Sequence, residues 1–422
     1  MAQEPTWRAL FTTQLAEADP EIHGLIMKQE EINRDTINLV ASETYCPLST
    51  LEAEASAVIN KNASGYPPRS GMGGAEVIDE IERIAVARAK SLFGAEHANI
   101  QSLSSTVANS AVVRALLRPG DRILSFAVNA GGHVSHGGDG HISGQDYAVK
   151  TFGIDESTGA PDYAAAEEAC RSWRPNIIIA GASSYPNEID FALLGEMARG
   201  VDALLFPDIA HVSGLIIAGI HKNPVSFADV TTTSTHKTFC GPRNGGLVLC
   251  KARHADAIDK AIAPGLQAAP GAHIIAARAV LFDMVTHPAF RDLMYAIVAN
   301  AKVLADALTS LRVPLFAGGT ESHMVVLDLR RSDWPGPALI RHLMRHGLAA
   351  NTTQLPALED GGSQLGLRIG SPPMTIRGMD AEGFGAIAEA LARLLEMTDD
   401  ETDVALIDRI RDITRSYPPP LV

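Results

Sequence analysis

Thr231-Thr-Thr-Ser-Thr-His-Lys237-Thr238, followed closely by Gly241-Pro-Arg-Asn-Gly-Gly246, is the stretch that decides how this chain folds. The run Ala228-Asp-Val-Thr-Thr232 leads into it as a β-strand, and the glycines close it with a turn. Upstream, Ala203-Leu-Leu-Phe-Pro reads as a second strand ending at Asp208, with Ile-Ala-His211 after it. Working outward, Ile123–Val128, Asn176–Ala180 and Gly246–Cys250 are further continuous apolar runs bounded by Gly, Pro or Asp. Helical stretches separate them, which predicts a mostly parallel sheet buried on both faces. Such sheets bind ligands at the carboxyl ends of their strands. Asp208 and Lys237 both fall there.

At 422 residues the chain exceeds one compact core of ordinary size. The spacing predicts a helical arm over residues 1–55, a large α/β domain over 56–288 and a smaller C-terminal α+β domain over 289–422. Helical spacing runs over much of Ile81 to Leu117. In the last region helices are expected near Phe290–Ser310, Pro337–His346 and Glu382–Glu396. Strands are expected at Val313–Phe316, His323–Leu329 and Leu367–Ile369, and the tail from Ser416 reads as irregular. The chain is 46% hydrophobic and 20% charged, without an apolar run long enough for a membrane span. Its start, Met-Ala-Gln-Glu-Pro-Thr-Trp, lacks a basic and an apolar leader region, so a cytoplasmic location is expected. The net charge of −14 disfavours a nucleic-acid surface. Cys46, Cys170, Cys240 and Cys250 form no CxxC pattern, so neither a disulfide framework nor a zinc ribbon is expected.

A lysine among hydroxyl side chains at a strand end can be desolvated, held as a neutral amine and joined to a carbonyl as a Schiff base. An acid at the neighbouring strand end suits the other side of a pyridoxal 5'-phosphate (PLP) site, where it pairs with the pyridinium nitrogen. Each half has a plainer reading: a Ser/Thr/His/Lys run is often a solvated strand end, and Asp-X-Ala-His often a helix cap. His133, His136 and His141 form H-x2-H-x4-H, which resembles zinc-ligand spacing. The glycines between them give no rigid helical register, so no metal is expected.

Further ordered blocks carry a resemblance: Asn38-Leu-Val-Ala-Ser-Glu43, Gly65-Tyr-Pro67, Ala87-Arg-Ala-Lys-Ser-Leu-Phe-Gly-Ala95 and Gly131-Gly-His-Val-Ser-His-Gly137. Asp208-Ile-Ala-His-Val-Ser-Gly-Leu215, Thr235-His-Lys-Thr238, Gly241-Pro-Arg243 and Arg368-Ile-Gly-Ser-Pro372 continue it. From about Ile32 to Glu396 the chain resembles the serine hydroxymethyltransferases, PLP enzymes of fold type I. The resemblance implies an α/β fold with a mostly parallel seven-stranded sheet, a smaller α+β domain, and a homodimer whose subunits share active sites. It also implies Lys237 as the Schiff-base lysine, Asp208 at the pyridinium nitrogen and His133 flat on the cofactor ring. Ser104 and Ser105 would form the phosphate turn, where hydroxyls and free N–H groups at a helix start suit a dianion. Ser183 and His211 would lie near the ring oxygen, Ser234 and His236 beside the lysine, and Ala269 where its backbone N–H could meet the phosphate. Arg368, assisted by Ser42, would fork to the substrate carboxylate.

The chain departs from the family in one region above all. Where the family writes Asn-Lys-Tyr-Ala-Glu-Gly-Tyr-Pro-Gly-Lys-Arg-Tyr-Tyr-Gly-Gly, this chain has Asn60-Lys-Asn-Ala-Ser-Gly-Tyr-Pro-Pro-Arg-Ser-Gly-Met-Gly-Gly74. The tyrosine lining the neighbouring subunit's site is Asn62, and the proton-handling glutamate is Ser64. The paired tyrosines are Gly71 and Met72, the folate-contacting asparagine aligns with Thr353, and a Gly-Gly pair with Ala268-Ala269. Groups for PLP and the amino acid are kept, whereas several for tetrahydrofolate are gone. Loss of a positioned acid or base costs roughly 10²–10⁴-fold in rate. The expectation is therefore an aldolase or transaldolase acting on β-hydroxy-α-amino acids such as threonine or serine, independent of folate. The alternatives are a folate-dependent serine/glycine hydroxymethyltransferase and, in another class, a PLP-dependent racemase or aminotransferase.

Overall fold

A computed structural model describes residues 6–69 and 71–420. Seven strands form the central sheet: β1 (His97–Asn99), β2 (Arg122–Phe126), β3 (Ala148–Phe152), β4 (Ile177–Gly181), β5 (Leu204–Asp208), β6 (Val230–Ser234) and β7 (Gly246–Cys250). Their spatial order is β1-β7-β6-β5-β4-β2-β3, with β7 antiparallel to both neighbours and the rest parallel. Alternate residues feed opposite faces, as the period of a strand requires. Ile123, Ile177, Ile179 and Val248 pack on one side of the sheet with Val112 of the helix Ser105–Leu116. Leu124, Ile178 and Leu249 pack on the other with Phe93, Leu281 and Phe282.

Beyond the long helix Pro288–Ser310, a three-stranded antiparallel sheet forms from β8 (Met324–Asp328), β9 (Asn351–Gln354) and β10 (Leu365–Gly370), in the order β9-β10-β8. The helices Gly336–Arg345 and Ala381–Glu396 supply Leu339, Leu343, Phe384, Ile387 and Leu391 to its core. The N-terminal segment joins this region: Ile37–Asn38 pairs in parallel with Leu348–Ala349, and Gly370 N–H donates to Leu39 O at 2.8 Å.

Several expectations are corrected. Val313–Phe316 is not a strand. Pro314 offers no N–H, and the positive φ values of Ala317, Gly318 and Gly319 turn the chain, leaving one isolated bridge between Leu315 and Leu327. The helical spacing from Ile81 to Leu117 is two helices. Glu76–Phe93 ends at Gly94, whose φ of 67° is the left-handed conformation glycine adopts without cost, and the second restarts after Ser104. The strand expected at Ala228–Thr232 is set two residues later. A helix, Val404–Ser416 capped by Asp403, precedes the irregular tail. Among the described residues no helix is long and apolar enough to cross a membrane.

Candidate active site

The register brings Gly181 and Asp208 side by side at the carboxyl ends of β4 and β5, with Thr232 in the middle of β6 beside Asp208. Asp208 is buried, and its carboxylate is saturated on one side by fixed donors. Asn109 Nδ2 and His136 Nε2 donate to Oδ2 at 2.8 and 3.0 Å, and Ala210 N–H donates to Oδ1 at 3.0 Å. Burial alone would raise its pKa. The bond and charge of His136, the charge of Lys237 and the bond from Asn109 outweigh burial and hold it below the ordinary carboxylate range. Asn109 is itself fixed: it donates to Ser135 Oγ at 2.8 Å and accepts from Thr232 Oγ1 at 2.6 Å.

Ser135 carries this network to His133. Its backbone N–H and its hydroxyl both reach His133 Nδ1, at 3.2 and 2.7 Å. An Nδ1 that accepts from a backbone amide carries no proton, so the neutral ring is protonated at Nε2. Burial, with the nearby charge of His136, pulls the His133 pKa down to about 4. The three histidines of the H-x2-H-x4-H spacing thus bind different partners, with His141 bonded to Ser110 and Ser143 at 2.9 and 2.8 Å. Among the described residues no group of three His, Cys, Asp or Glu side chains is arranged to hold a metal.

Lys237 follows β6 and keeps part of its surface accessible, yet its amine is crowded by protein. Burial pulls its pKa down to about 8, helped by the charges of Arg368 and Arg243 and opposed by Asp208. Among the described residues its Nζ has no hydrogen-bonding partner. Ser234 and His236 flank it; His236 Nδ1 is buried without a partner, and burial next to Lys237 lowers that ring's pKa to about 4. The glycine turn then folds back against the turn before the helix Ser105–Leu116. A Cβ on Gly246 would lie 2.3 Å from Ser104 O, so only glycine allows the approach. Ser104 caps that helix, accepting from Val107 N–H at 3.1 Å, and Ser105 opens it.

Arg368 lies in β10, 8% exposed, and forms no ion pair with any described residue. Its guanidinium donates to the Ser183 carbonyl, to Ser183 Oγ at 3.2 Å and to Asn351 Oδ1 at 3.3 and 3.2 Å. Burial lowers its pKa to about 10, so it stays charged. Ser42 follows Ala41, whose Cα lies 2.7 Å from where a Cβ on Gly370 would sit, placing it beside the end of the same strand. His211 stacks on His323 with ring centroids 5.5 Å apart and Nδ1 to Nε2 at 3.4 Å. Burial and the charges of Lys237 and Arg368 hold both rings neutral, the His323 pKa at about 3.

Not every expected residue joins this cluster within one chain. Asn62 and Ser64 are exposed, and Asn62 Oδ1 accepts only from Ser64 N–H, at 3.1 Å. Ala269 is exposed too, beside Gln267, which bonds Leu103 N–H and the Gln101 carbonyl. Thr353 Oγ1 is tied to Ser184 Oγ at 2.9 Å. Asn109, His136, His323 and Asn351, which sequence reading did not assign, are brought in by tertiary contacts.

The cluster offers an unpaired, desolvated amine for an aldehyde, a carboxylate with lone pairs to spare for a protonated ring nitrogen, and a buried guanidinium lacking an anion. These donors fit PLP and an amino-acid carboxylate. The family pattern described as serine hydroxymethyltransferase matches residues 15–391. Two curated relatives carry the same description. The protein from Coprothermobacter proteolyticus is 40% identical over 96% of this chain and 97% of its own length. That from Myxococcus xanthus is 38% identical over 96% and 97%. Sequence blocks, sheet topology and the strand-end cluster agree: this chain belongs to the serine hydroxymethyltransferase family, PLP-dependent enzymes of fold type I.

Proposed function

We propose that this enzyme breaks and forms the Cα–Cβ bond of β-hydroxy-α-amino acids without folate, as an aldolase or transaldolase yielding glycine and an aldehyde from threonine or serine. On this reading Lys237 holds the PLP aldehyde, Asp208 keeps the ring nitrogen protonated, and Ser104 and Ser105 hold the phosphate. When bound, PLP supplies the sink for electrons released at Cα. Arg368, braced by Asn351 and Ser183 and assisted by Ser42, grips the substrate carboxylate. The Ser135-fixed tautomer makes His133 a donor at Nε2, which orients it and disfavours it as the base for the β-hydroxyl. Ser183, His211, Ser234 and His236 line the remainder.

One observation carries the folate-independent reading: the residues at the family's folate and proton-transfer positions lack the chemistry for that work. Asn62 accepts from the Ser64 backbone N–H, Ser64 has no carboxylate to move a proton, and the Thr353 hydroxyl donates to Ser184 Oγ. A second reading, a folate-dependent serine/glycine hydroxymethyltransferase, is favoured by the description both relatives carry. Incubation with threonine or serine, with and without tetrahydrofolate, separates the two. Glycine and aldehyde formed without folate are expected; strict folate dependence overturns the first reading. An aldehyde-free racemase or a keto-acid-yielding aminotransferase would show in the same product analysis.

The homodimer belongs to this proposal. Trp7, Leu10, Phe11, Leu25 and Ile26 are exposed on the N-terminal helices, an apolar surface suited to a second copy. Asn62–Met72 would then face the neighbouring site, where smaller side chains admit a bulkier aldehyde. Restoring Tyr and Glu at positions 62 and 64 should narrow the aldehyde range; an unchanged range refutes that role.

A further inference from the structure

Arg278 lies on the helix Ala272–Met284, 2% exposed among Ile275, Leu281 and Phe282. Its guanidinium donates to three carbonyls: Ile100, Ser102 (3.0 Å) and Asn244. One side chain therefore ties together the turn that leads into Ser104 and the glycine turn that follows Lys237. The Ser102 carbonyl also accepts from Gly246 N–H at 3.0 Å, and Ser102 Oγ donates to the Ser104 carbonyl at 2.8 Å. Room for this crossing depends on Gly245, whose added Cβ would lie 3.0 Å from Arg278 Nε.

Carbonyls accept from both terminal nitrogens of the guanidinium, whereas its Nε is buried without a hydrogen-bonding partner, and carbonyls do not neutralise its charge. Arg278 makes no ion pair with any described residue. The charges that act on it are those of Glu82, which also binds Arg69 and Gln101, and of Glu54. Burial lowers the Arg278 pKa to about 9, which leaves it cationic at neutral pH. A buried cation without a direct ion pair is costly, and an anion arriving with a ligand lowers that cost.

We propose that Arg278 is a positioning residue that gives the Ser104–Ser105 turn its preference for a phosphate dianion, through the carbonyls it ties together and the positive charge it holds behind them. The proposal rests on the PLP reading above. Arg278 shapes the turn through the Ser102 carbonyl and biases it electrostatically, without touching the reacting atoms.

The test titrates apoenzyme with PLP, with pyridoxal lacking the phosphate, and with inorganic phosphate as competitor, following the visible band of the lysine-bound aldehyde. In R278M the affinity for PLP should fall on the order of tenfold, as expected for one lost charge at moderate range in a partly polarisable interior. Pyridoxal affinity should hold, and inorganic phosphate should stop competing. R278K, which keeps the charge, should retain the preference for PLP. Equal weakening of PLP and pyridoxal in R278M, or an unchanged preference, overturns the proposal. If R278M does not fold, R278K decides: a soluble R278K that has lost phosphate preference overturns it, and one that keeps it supports it. Wild type giving no band with either aldehyde refutes the cofactor reading and this proposal with it. Wild type and R278M both preferring PLP equally refutes this proposal alone.

Discussion

Asn109 offers the sharpest test of how the site is built. Its side chain makes three buried bonds: to Asp208 Oδ2, to Ser135 Oγ and from Thr232 Oγ1. Asn109→Ala deletes a bond to a charged acceptor, worth about 1.5–3 kcal/mol, and orphans the fully buried Thr232 hydroxyl, at about 1–3 kcal/mol. A loss of roughly 3–5 kcal/mol in unfolding free energy follows, a large part of ordinary domain stability. Asn109→Asp separates electrostatics from packing, since it is nearly isosteric but sets a second carboxylate against Asp208. Two such groups in contact cannot both ionise, so the pair holds a proton and its folded pKa is raised. A raised carboxyl pKa means the folded state binds more protons, so stability falls as pH rises above about 4, by up to ~1.4 kcal/mol per unit. Wild type behaves oppositely: the lowered Asp208 pKa loses stability only as pH falls below the unfolded value near 4, and leaves pH 5–9 flat from this group. Denaturant unfolding of the three proteins at pH 5, 7 and 9 reads both effects. An N109D profile parallel to that of wild type, or an N109A loss under 1 kcal/mol, refutes the contact reasoning.

Other outcomes follow from the same structure. Lys237→Met should stabilise the apoenzyme at pH 7, because the depressed amine pKa is a penalty present below about pH 8 and relieved as pH rises towards the unfolded value near 10.5; melting curves from pH 7 to 10 should converge with wild type at the alkaline end. Arg368→Lys keeps the charge but loses the fork, and KM for the amino acid should rise about 10–100-fold in steady-state assays with the product unchanged. His342 is fully buried against Trp334 and His346, and neither ring nitrogen has a hydrogen-bonding partner. His342→Phe should raise stability by about 1 kcal/mol at pH 7. It should also remove part of the stability loss that wild type shows as pH drops through about 6.5, where the unfolded imidazole charges first.

The parallel core was legible because buried strands are continuous apolar runs, and β7 was placed to the residue. Strands outside that rule were not. β3 is an edge strand with an exposed Lys150, β1 spans three residues, and β9 is polar Asn-Thr-Thr-Gln. Lys237 and Asp208 announced themselves as polar residues at apolar strand ends. Asn109 could not, since an asparagine inside a helix reads as solvated until the helix packs against β6 and β7. His136 was noticed only for its spacing, and Asp208 lies 72 positions away from it. His323 was read as strand, yet its ring is what His211 stacks on. The signal that could have found these residues is a polar side chain on an otherwise apolar face, which Asn109 shows between Ala108 and Ala111.

A chain with net charge −14 gathers Lys237, Arg368 and Arg278 around its site, with Asp208 acting on Lys237 and Glu82 and Glu54 on Arg278. Interiors reject such a surplus unless anions complete it. On the proposed reading the Lys237 amine meets the aldehyde carbon, Arg368 meets the substrate carboxylate, and Arg278 stands behind the phosphate turn. The histidines fit this arithmetic, since His133, His211, His236 and His323 are all held neutral by burial, with the charge of Lys237 acting on each. Neutral imidazoles shape the cleft and donate or accept single hydrogen bonds without adding to the surplus. Replacing any of them by lysine would deepen the imbalance, whereas a ligand anionic at both ends relieves it. The cationic excess therefore favours a phosphorylated cofactor together with a free amino acid over neutral amines or amino-acid esters.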